Sequence, residues 1–303
     1  MKSVSVVIPT YNRSEDLKNC IQSILKGSYV PAEIIIVDNA STDNTEEIVK
    51  SFKNNSCIRY IHSDKNLYAT GGRILGTSNS SGDYILYIDD DNIIFPNMIE
   101  SLVSYFESHS DAGLVAPVSV YSDRQDLVSY IGAEINLISS KCKYNYRNLN
   151  VKDINYSKTY TTKIAMQNCF MVSRECLEKT GGFDPIYKIM FDESDFGMKI
   201  FNERYTQYVN PKAITIHIGG KYIDDNDVLR HLGMGTPERG FLFARNRNIF
   251  MRRYAPFYGK ILFFALWMPL FAFYYITKAL KFKRKDIAIE YFKGLINGLF
   301  CNI

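Results

Sequence analysis

Four short apolar runs dominate the first 90 residues of the chain, each stopping near a polar or acidic residue and each separated from the next by a segment of helical period. Val4–Pro9 is continuous and rich in β-branched residues, as a strand buried on both faces requires. Leu17, Ile21, Ile24 and Leu25 then recur at helical spacing, with Ser14 placed to cap that helix. Glu33–Val37 reads as the second strand and runs into Asp38, and the pattern predicts a helix over 42–52 with Asp43, Glu46 and Glu47 near its positive end. Ile58–Ile61 is the third strand, 69–79 a helix entered through Gly71-Gly72, and Tyr84–Ile88 a fourth strand that stops at Asp89-Asp90-Asp91. A βαβαβαβ order leaves few folds open: it implies an α/β, doubly wound, mostly parallel sheet. Ligands of such sheets bind outside the carboxyl ends of the strands. Here those ends carry Pro9-Thr10-Tyr11-Asn12-Arg13, Asp38 and Asp89–Asp91.

Beyond residue 110 the pattern loosens. Gly113–Tyr121, Ala165–Val172 and Ala213–Ile218 read as strands and Phe191–Phe201 as a helix opened by acids. The polar, Tyr- and Asn-rich stretch 123–157 reads as loops and short strands over the site. With 46% hydrophobic and 22% charged residues over 303 positions, the chain is globular, not disordered, collagen-like or a small disulfide scaffold. The expected organisation is a domain over 1–240, in two halves (1–110 and 111–240), followed by a helical tail over 241–303. The six cysteines form no CxxC pair and no zinc spacing, so they are expected as reduced, buried thiols of a cytoplasmic protein. No basic-then-apolar signal peptide opens the sequence.

The net charge of +4 is unevenly spread. Residues 241–303 hold 11 Lys/Arg against 2 Asp/Glu, a net +9 that leaves −5 on the rest. Because these cations lie among Phe, Tyr, Leu and Ile and no nucleic-acid motif accompanies them, a membrane surface is the expected partner and nucleic acid is not. Ile261–Thr277 has 17 residues without a charge, flanked by Lys260 and Lys278. That is the lower limit of a span of about 17–25 residues, and Pro269 is expected to interrupt it. The run reads as a short hairpin dipping into one leaflet, a full span, a buried core helix or a dimer contact. Lys281, Lys283, Arg284 and Lys285 favour the cytoplasmic face, with the protein peripheral or monotopic there.

Three adjacent carboxylates at the end of a buried strand repel one another unless a cation neutralises them. Asp89–Asp91 therefore read either as hard oxygen ligands for Mn²⁺ or Mg²⁺ that also binds substrate phosphates, or as a solvated acidic turn. Neither the GxGxxG of a dinucleotide site nor a P-loop follows the first strand.

Taken together, VVIPTYNR (6–13), IIIVDNAST (34–42), NLYATGGR (66–73), YILYIDDDN (84–92), GGFDP (181–185), FDESDFGMK (191–199) and ITIHIGG (214–220) resemble, in order, a family 2 glycosyltransferase with the GT-A fold. The resemblance leans toward rhamnosyltransferase-like members. It implies transfer of a sugar from a nucleotide-sugar donor, with inversion, to a glycan or lipid-linked acceptor in polysaccharide biosynthesis. Pro9, Thr10, Tyr11, Arg13 and Asp38 would line the base and ribose, and Asn66, Gly72 and Arg73 would lie beside the donor. Asp89–Asp91 would be the DxD element, with Asp89 and Asp91 as metal ligands and Asp90 near the ribose or sugar. In the acid cluster Glu193 falls where the family places its base, although many relatives have Asp there, and Asp192 stays open for that role. Asp195, about 200° further round a helix, would be structural or position the acceptor. The bland reading of the cluster is charge at a helix N-terminus. His217 is either a metal ligand or a satisfied core histidine. His62, His109 and His231 have no such context. Gln167 and Asn168 would contact sugar or acceptor, and Arg245 and Arg247 a diphosphate or phosphorylated acceptor, unless they are a solvated helix face. The only Trp, Trp267, lies in the apolar tail and not in the QxxRW of processive synthases, so one sugar per event is expected. A nucleotidylyltransferase, or a non-catalytic nucleotide-sugar or glycan-binding module, is the alternative.

Overall fold

A computed structural model describes residues 2–222, 229 and 232–303; His231 lies outside them. The chain packs as two compact units. The first is Met1–Glu134, Tyr144–Lys188 and Phe196–Tyr222; the second is Ile135–Lys143, Ile189–Asp195 and Ile223–Ile303.

In the first unit the four sequence runs become β1 (Val4–Thr10), β2 (Glu33–Asp38), β3 (Ile58–His62) and β4 (Tyr84–Ile88). They pair in parallel in the order β4-β1-β2-β3. Alternate residues serve opposite faces: Val6, Ile8, Leu86 and Ile88 enter one core, and Val7, Ile85 and Tyr87 the other. Both faces are therefore apolar, which is why the runs are continuous and not alternating. The connecting helices are α1 (Ser14–Leu25), α2 (Thr45–Ser51) and α3 (Tyr68–Ser78). Two helix starts differ from the sequence expectation, and Asp43 accounts for both. Arg13, not Ser14, holds the cap position of α1, and the Ser14 N–H donates to Asp43 Oδ2 at 3.0 Å. Asp43 also accepts the N–H and hydroxyl of Thr45, a local turn that delays α2 to that residue.

Further strands widen this sheet, and three of the elements that follow straddle the boundary between the two units. β5 (Asn92–Ile94), α4 (Met98–Ser108), β6 (Ala112–Tyr121), β7 (Val128–Tyr130), β8 (Ala133–Ile135), β9 (Cys142–Tyr144), β10 (Tyr160–Thr161), β11 (Cys169–Ser173), α5 (Arg174–Thr180), α6 (Asp192–Asn202) and β12 (Thr206–His217) follow in order. β8 and β9 pair with each other, apart from the main sheet. β11 runs antiparallel between β4 and β6, while β12 is parallel to β6, so this half of the sheet is mixed. The strand expected over 165–172 begins only at Cys169; the carbonyls of Ile164 and Met166 are taken instead by the Tyr130 hydroxyl, at 2.7 and 3.1 Å.

The second unit carries α7 (Pro237–Tyr254), α8 (Phe257–Leu262), α9 (Met268–Lys281) and α10 (Lys285–Phe300). Thr236 caps α7 and Pro237 opens it. α10 approaches α7 closely at two glycines: a Cβ at Gly294 would run into the Phe241 carbonyl, and one at Gly298 would lie 2.5 Å from that of Arg245. Pro269 does not interrupt the apolar segment. A π-helical turn at Phe263–Trp267 joins α8 to α9, absorbs the missing N–H and lets the helix run from Phe257 to Lys281. The hairpin and core-helix readings of this stretch both fall. It is one continuous helix, long and apolar enough to cross a membrane by length and composition, and only 11% of its most apolar window is buried.

The thiols are not all buried as expected. Cys20, Cys169 and Cys176 are, Cys57 and Cys301 are partly exposed, and Cys142 lies on the surface.

Candidate functional site

Strand order places the site. β2 and β3 lie to one side of β1 and β4 to the other, so the sheet reverses its winding between β1 and β4. A crevice opens at such a switch point, and the residues ending these strands meet there. Parallel register sets Thr10 beside Asp38 and Asp38 beside His62. Thr10 donates its hydroxyl to Asp90 Oδ2 at 2.7 Å across the switch point. Arg13 Nη1 lies 2.5 Å from Asp91 Oδ2 and 3.5 Å from Asp90 Oδ1. His217 reaches the same turn from the far half of the sheet. β5 runs antiparallel to β12 with Asn92 opposite His217, which leaves His217 Nε2 3.3 Å from Asp91 Oδ2.

The three carboxylates are thus held differently. Burial pushes Asp90 up to about 7, against the opposing hydroxyl of Thr10 and charge of Arg13. Burial acts the same way on Asp91, but His217 and Arg13 outweigh it and hold that carboxyl well below the usual range. Burial favours a neutral imidazole at His217, yet the hydrogen bond to Asp91 and the charges of Asp91 and Asp89 raise it overall. Asp89 is partly exposed and bonded by Arg73 Nη2 at 3.0 Å. Arg73 is itself only 2% exposed, its guanidinium stacked near Phe170 and Phe183 at 5.4 and 5.3 Å.

The turn is knit from beneath. Asn168, expected to face sugar or acceptor, is buried; its amide donates to Asn92 Oδ1 at 2.8 Å and its carbonyl accepts the Asp89 N–H at 2.8 Å. Gln167 is partly exposed, its backbone carbonyl lies 3.5 Å from Arg73 Nη2, and its buried side-chain Oε1 has no partner among the described residues. Asp38 is 1% exposed and accepts from Ser41 N (2.8 Å) and the Tyr60 hydroxyl (2.5 Å), with His62 Nδ1 3.4 Å away. Tyr11 is exposed at the mouth, and Asn66 accepts the Tyr68 N–H at 2.8 Å as α3 begins. Gly72 leaves no space for a Cβ, which would lie 2.8 Å from Pro9 Cβ and 3.1 Å from Asn39 Nδ2. Asn39 itself went unnoticed in the sequence. It is 3% exposed, its Oδ1 has no partner among the described residues, and the available signal was its place immediately after Asp38 at a strand end.

Among the described residues no three His, Cys, Asp or Glu side chains converge as a finished metal cage. The donor set nevertheless suits a hard divalent cation. Asp91 and His217 offer an oxygen and an imidazole nitrogen side by side, and Gly219 abuts Asp91 where a Cβ would lie 2.6 Å from Oδ2. A cation with two protein ligands takes the rest of its shell from phosphate oxygens and water. Asp89, expected as a third ligand, is turned to Arg73.

The acid cluster lies in the second unit, whose boundary with the first falls within α6, between Asp195 and Phe196. Asp192 is 3% exposed and Glu193 is half-buried. Asp195 is fully buried and accepts from Arg253 Nη1 at 2.9 Å and the Tyr254 hydroxyl at 2.8 Å. Arg245 donates to Asn297 at 3.0 Å and to Asn246 at 3.1 Å. Arg247 is not on a solvated face: it is 6% exposed, with its guanidinium over Phe243, Phe271 and Tyr275 at 4.3, 4.5 and 5.0 Å.

A parallel half joined through its acid turn to a mixed half is the GT-A glycosyltransferase fold. The family model described as "Glycosyl transferase family 2" matches residues 5–181, and the chain belongs to that family. It is 38% identical over 113 residues to the glycosyltransferase GlyG of Streptococcus pneumoniae serotype 4, a match covering 37% of each chain. It is 24% identical over 165 residues to the poly(ribitol-phosphate) beta-N-acetylglucosaminyltransferase TarS of Staphylococcus aureus, covering 50% of this chain and 29% of that protein. The matches therefore span about a third of these relatives' own length. The solved structure of TarS 1–349 superposes with a TM-score of 0.57 at 16% identity, over 97% of this chain and 90% of that one. The mannosyltransferase PcManGT from Pyrobaculum calidifontis, solved with GDP-Man and Mn²⁺, gives 0.61 at 16% identity, over 99% and 87%.

Proposed function

We propose that the protein transfers a single sugar from a nucleoside-diphosphate sugar to an acceptor hydroxyl, with inversion at the anomeric carbon. The observation that carries this reading is the acid turn Asp89–Asp91 at the switch point, gripped by Thr10, Arg13 and His217. Pro9, Thr10, Tyr11, Arg13, Asp38 and Asn39 bind base and ribose; Gly72, beside the donor, lets α3 pack closely on Pro9 and Asn39 and so sets their position. Arg73 orients Asp89. Asp91 and His217 would hold Mn²⁺ or Mg²⁺, and a cation bound there would supply charge neutralisation at the leaving diphosphate. In the transfer, the acceptor oxygen bonds to the anomeric carbon as the bond from that carbon to the phosphate oxygen breaks. The nucleoside diphosphate departs with the electron pair, and Glu193 takes the hydroxyl proton. Glu193 is preferred to Asp192 because Asp192 is 3% exposed and Glu193 is the more accessible of the two. One displacement with one base inverts the centre.

The names of the relatives support a glycan acceptor. The barely buried helix Phe257–Lys281 and the basic residues around it support a lipid-linked one met at a membrane face. Purified full chain, incubated with Mn²⁺ and a panel of UDP-, GDP- and dTDP-sugars with and without membrane lipid extract, tests the reading by nucleoside diphosphate release. Release from one donor, raised by lipid and lost in Glu193→Gln, is expected. Silence from every donor, with none of them bound by calorimetry, overturns it in favour of a glycan-binding module.

A further inference from the structure

Left-handed backbone is concentrated just ahead of the acid cluster. Lys188, Met190 and Phe191 have φ of 60°, 66° and 62°, and none of them is glycine. Each Cβ resists that conformation, which persists only where surrounding structure over-determines it. Within the second unit, α7 does so. Asn246 is fully buried and donates Nδ2 to the Ile189 carbonyl at 2.9 Å and to the Met190 carbonyl at 3.0 Å. The Phe191 ring packs at 5.6 Å from Phe250 and 6.1 Å from Phe243, on the same helix. Past the acids, Arg253 and Tyr254 at the end of α7 hold Asp195, whose N–H closes on the Phe191 carbonyl at 2.8 Å. One helix thus grips the chain on both sides of Asp192-Glu193.

We propose that Asn246 is a positioning residue for the transfer: its amide pins the turn 189–191, left-handed at Met190 and Phe191, and so fixes the direction in which α6 presents Glu193. The proposal rests on Glu193 being the base. The side chain that matters in Arg245-Asn246-Arg247 is then the amide between the two cations, acting on backbone carbonyls and not on a phosphate.

The test uses the full chain and the nucleotide sugar found by the donor panel. Asn246→Ala, and the near-isosteric Asn246→Asp, which sets a carboxylate against the two carbonyls, should lower kcat by about 10- to 100-fold. KM for the nucleotide sugar should stay within about twofold, because displacing a base is a fault of orientation and not of donor binding. Amide hydrogen exchange over 188–196 should quicken in both. Met190→Gly in the Asn246→Ala background should restore part of kcat, since glycine takes the left-handed conformation without penalty. An unchanged kcat in both variants, a KM that rises in step with the loss, or no recovery with Met190→Gly overturns the clamp. Glu193→Gln is assayed alongside. If it turns over normally the base assignment fails and takes the clamp with it; if it is dead while both Asn246 variants are normal, only the clamp fails.

Discussion

Arg73 illustrates how much a single position can differ between its sequence context and its place in the fold. On the chain it is a cation in a glycine-rich helix, well suited to a phosphate. In the fold it is buried, backed by two rings, and its charge is answered by Asp89. The partner left behind is partly exposed, so Arg73→Ala should destabilise the fold through the lost charged hydrogen bond and ring packing, by about 1–3 kcal/mol, read by urea unfolding. Arg73→Lys keeps the charge but loses the planar fork and should fall between the two. The consequence of Asp91→Ala differs in kind. It should cut turnover by about 100-fold or more and abolish stimulation by added Mn²⁺ after chelation, and because it leaves Arg13 and His217 without their buried partner it should also lower the melting temperature. The acid turn was legible in the sequence because three carboxylates crowded at the end of an apolar strand repel one another and call for cationic neighbours. Tyr60 and His62 around Asp38 were not, since it takes strand pairing to bring them beside it.

At the level of elements, β1 and β2 are tied by a buried carboxylate. Glu33 accepts from the Ser5 hydroxyl (2.7 Å), the Ser81 N–H (2.6 Å) and hydroxyl (2.9 Å), and Arg59 (2.9 Å). Burial alone would raise its pKa; these donors together lower it. A carboxyl with a lower pKa folded than unfolded stabilises above its unfolded value and loses that contribution as pH falls through the folded one. Glu33→Gln should therefore cost about 1–3 kcal/mol at neutral pH, and the gap to the wild type should close on acidification below about pH 4 in urea titrations. Helix contacts give a second prediction. Gly294→Ala forces a methyl against the Phe241 carbonyl where α10 crosses α7, and should destabilise by about 1–3 kcal/mol in the same titration. The parallel strands could be read directly because strands buried on both faces are written as unbroken apolar runs. β12 was seen only from residue 213 because Gln207, Asn210 and Pro211 look like a loop. The fold keeps them in the strand by bonding Gln207 to the Lys163 and Gly197 carbonyls and Asn210 to that of Ser101, with a register shift after Asn210.

For the molecule as a whole, the charge asymmetry was plain from composition, and the helical unit adds a surface to it. Phe257, Phe273 and Phe300 are 81%, 73% and 78% exposed, among the Lys and Arg of the basic tail. Co-sedimentation with vesicles containing phosphatidylglycerol should retain the full chain and neutral vesicles should retain less, with binding falling as salt rises. Phe273→Glu with Phe300→Glu should release it from both. Retention of that variant on the same vesicles would show that another surface is responsible. What no local pattern announces is that residues 135–143 and 189–195 pack with the helices and not with the sheet, because contacts so distant in sequence leave no periodicity.

That discontinuity has a bearing on how family members can be recombined. A chimera cut once, ahead of α7, would pair one parent's helices with the other's acid loop. The left-handed turn and the Asn246 amide that holds it would then come from different sources. A graft that respects the molecule needs three segments exchanged together, so the acid loop and the helix that grips it are inherited as one module.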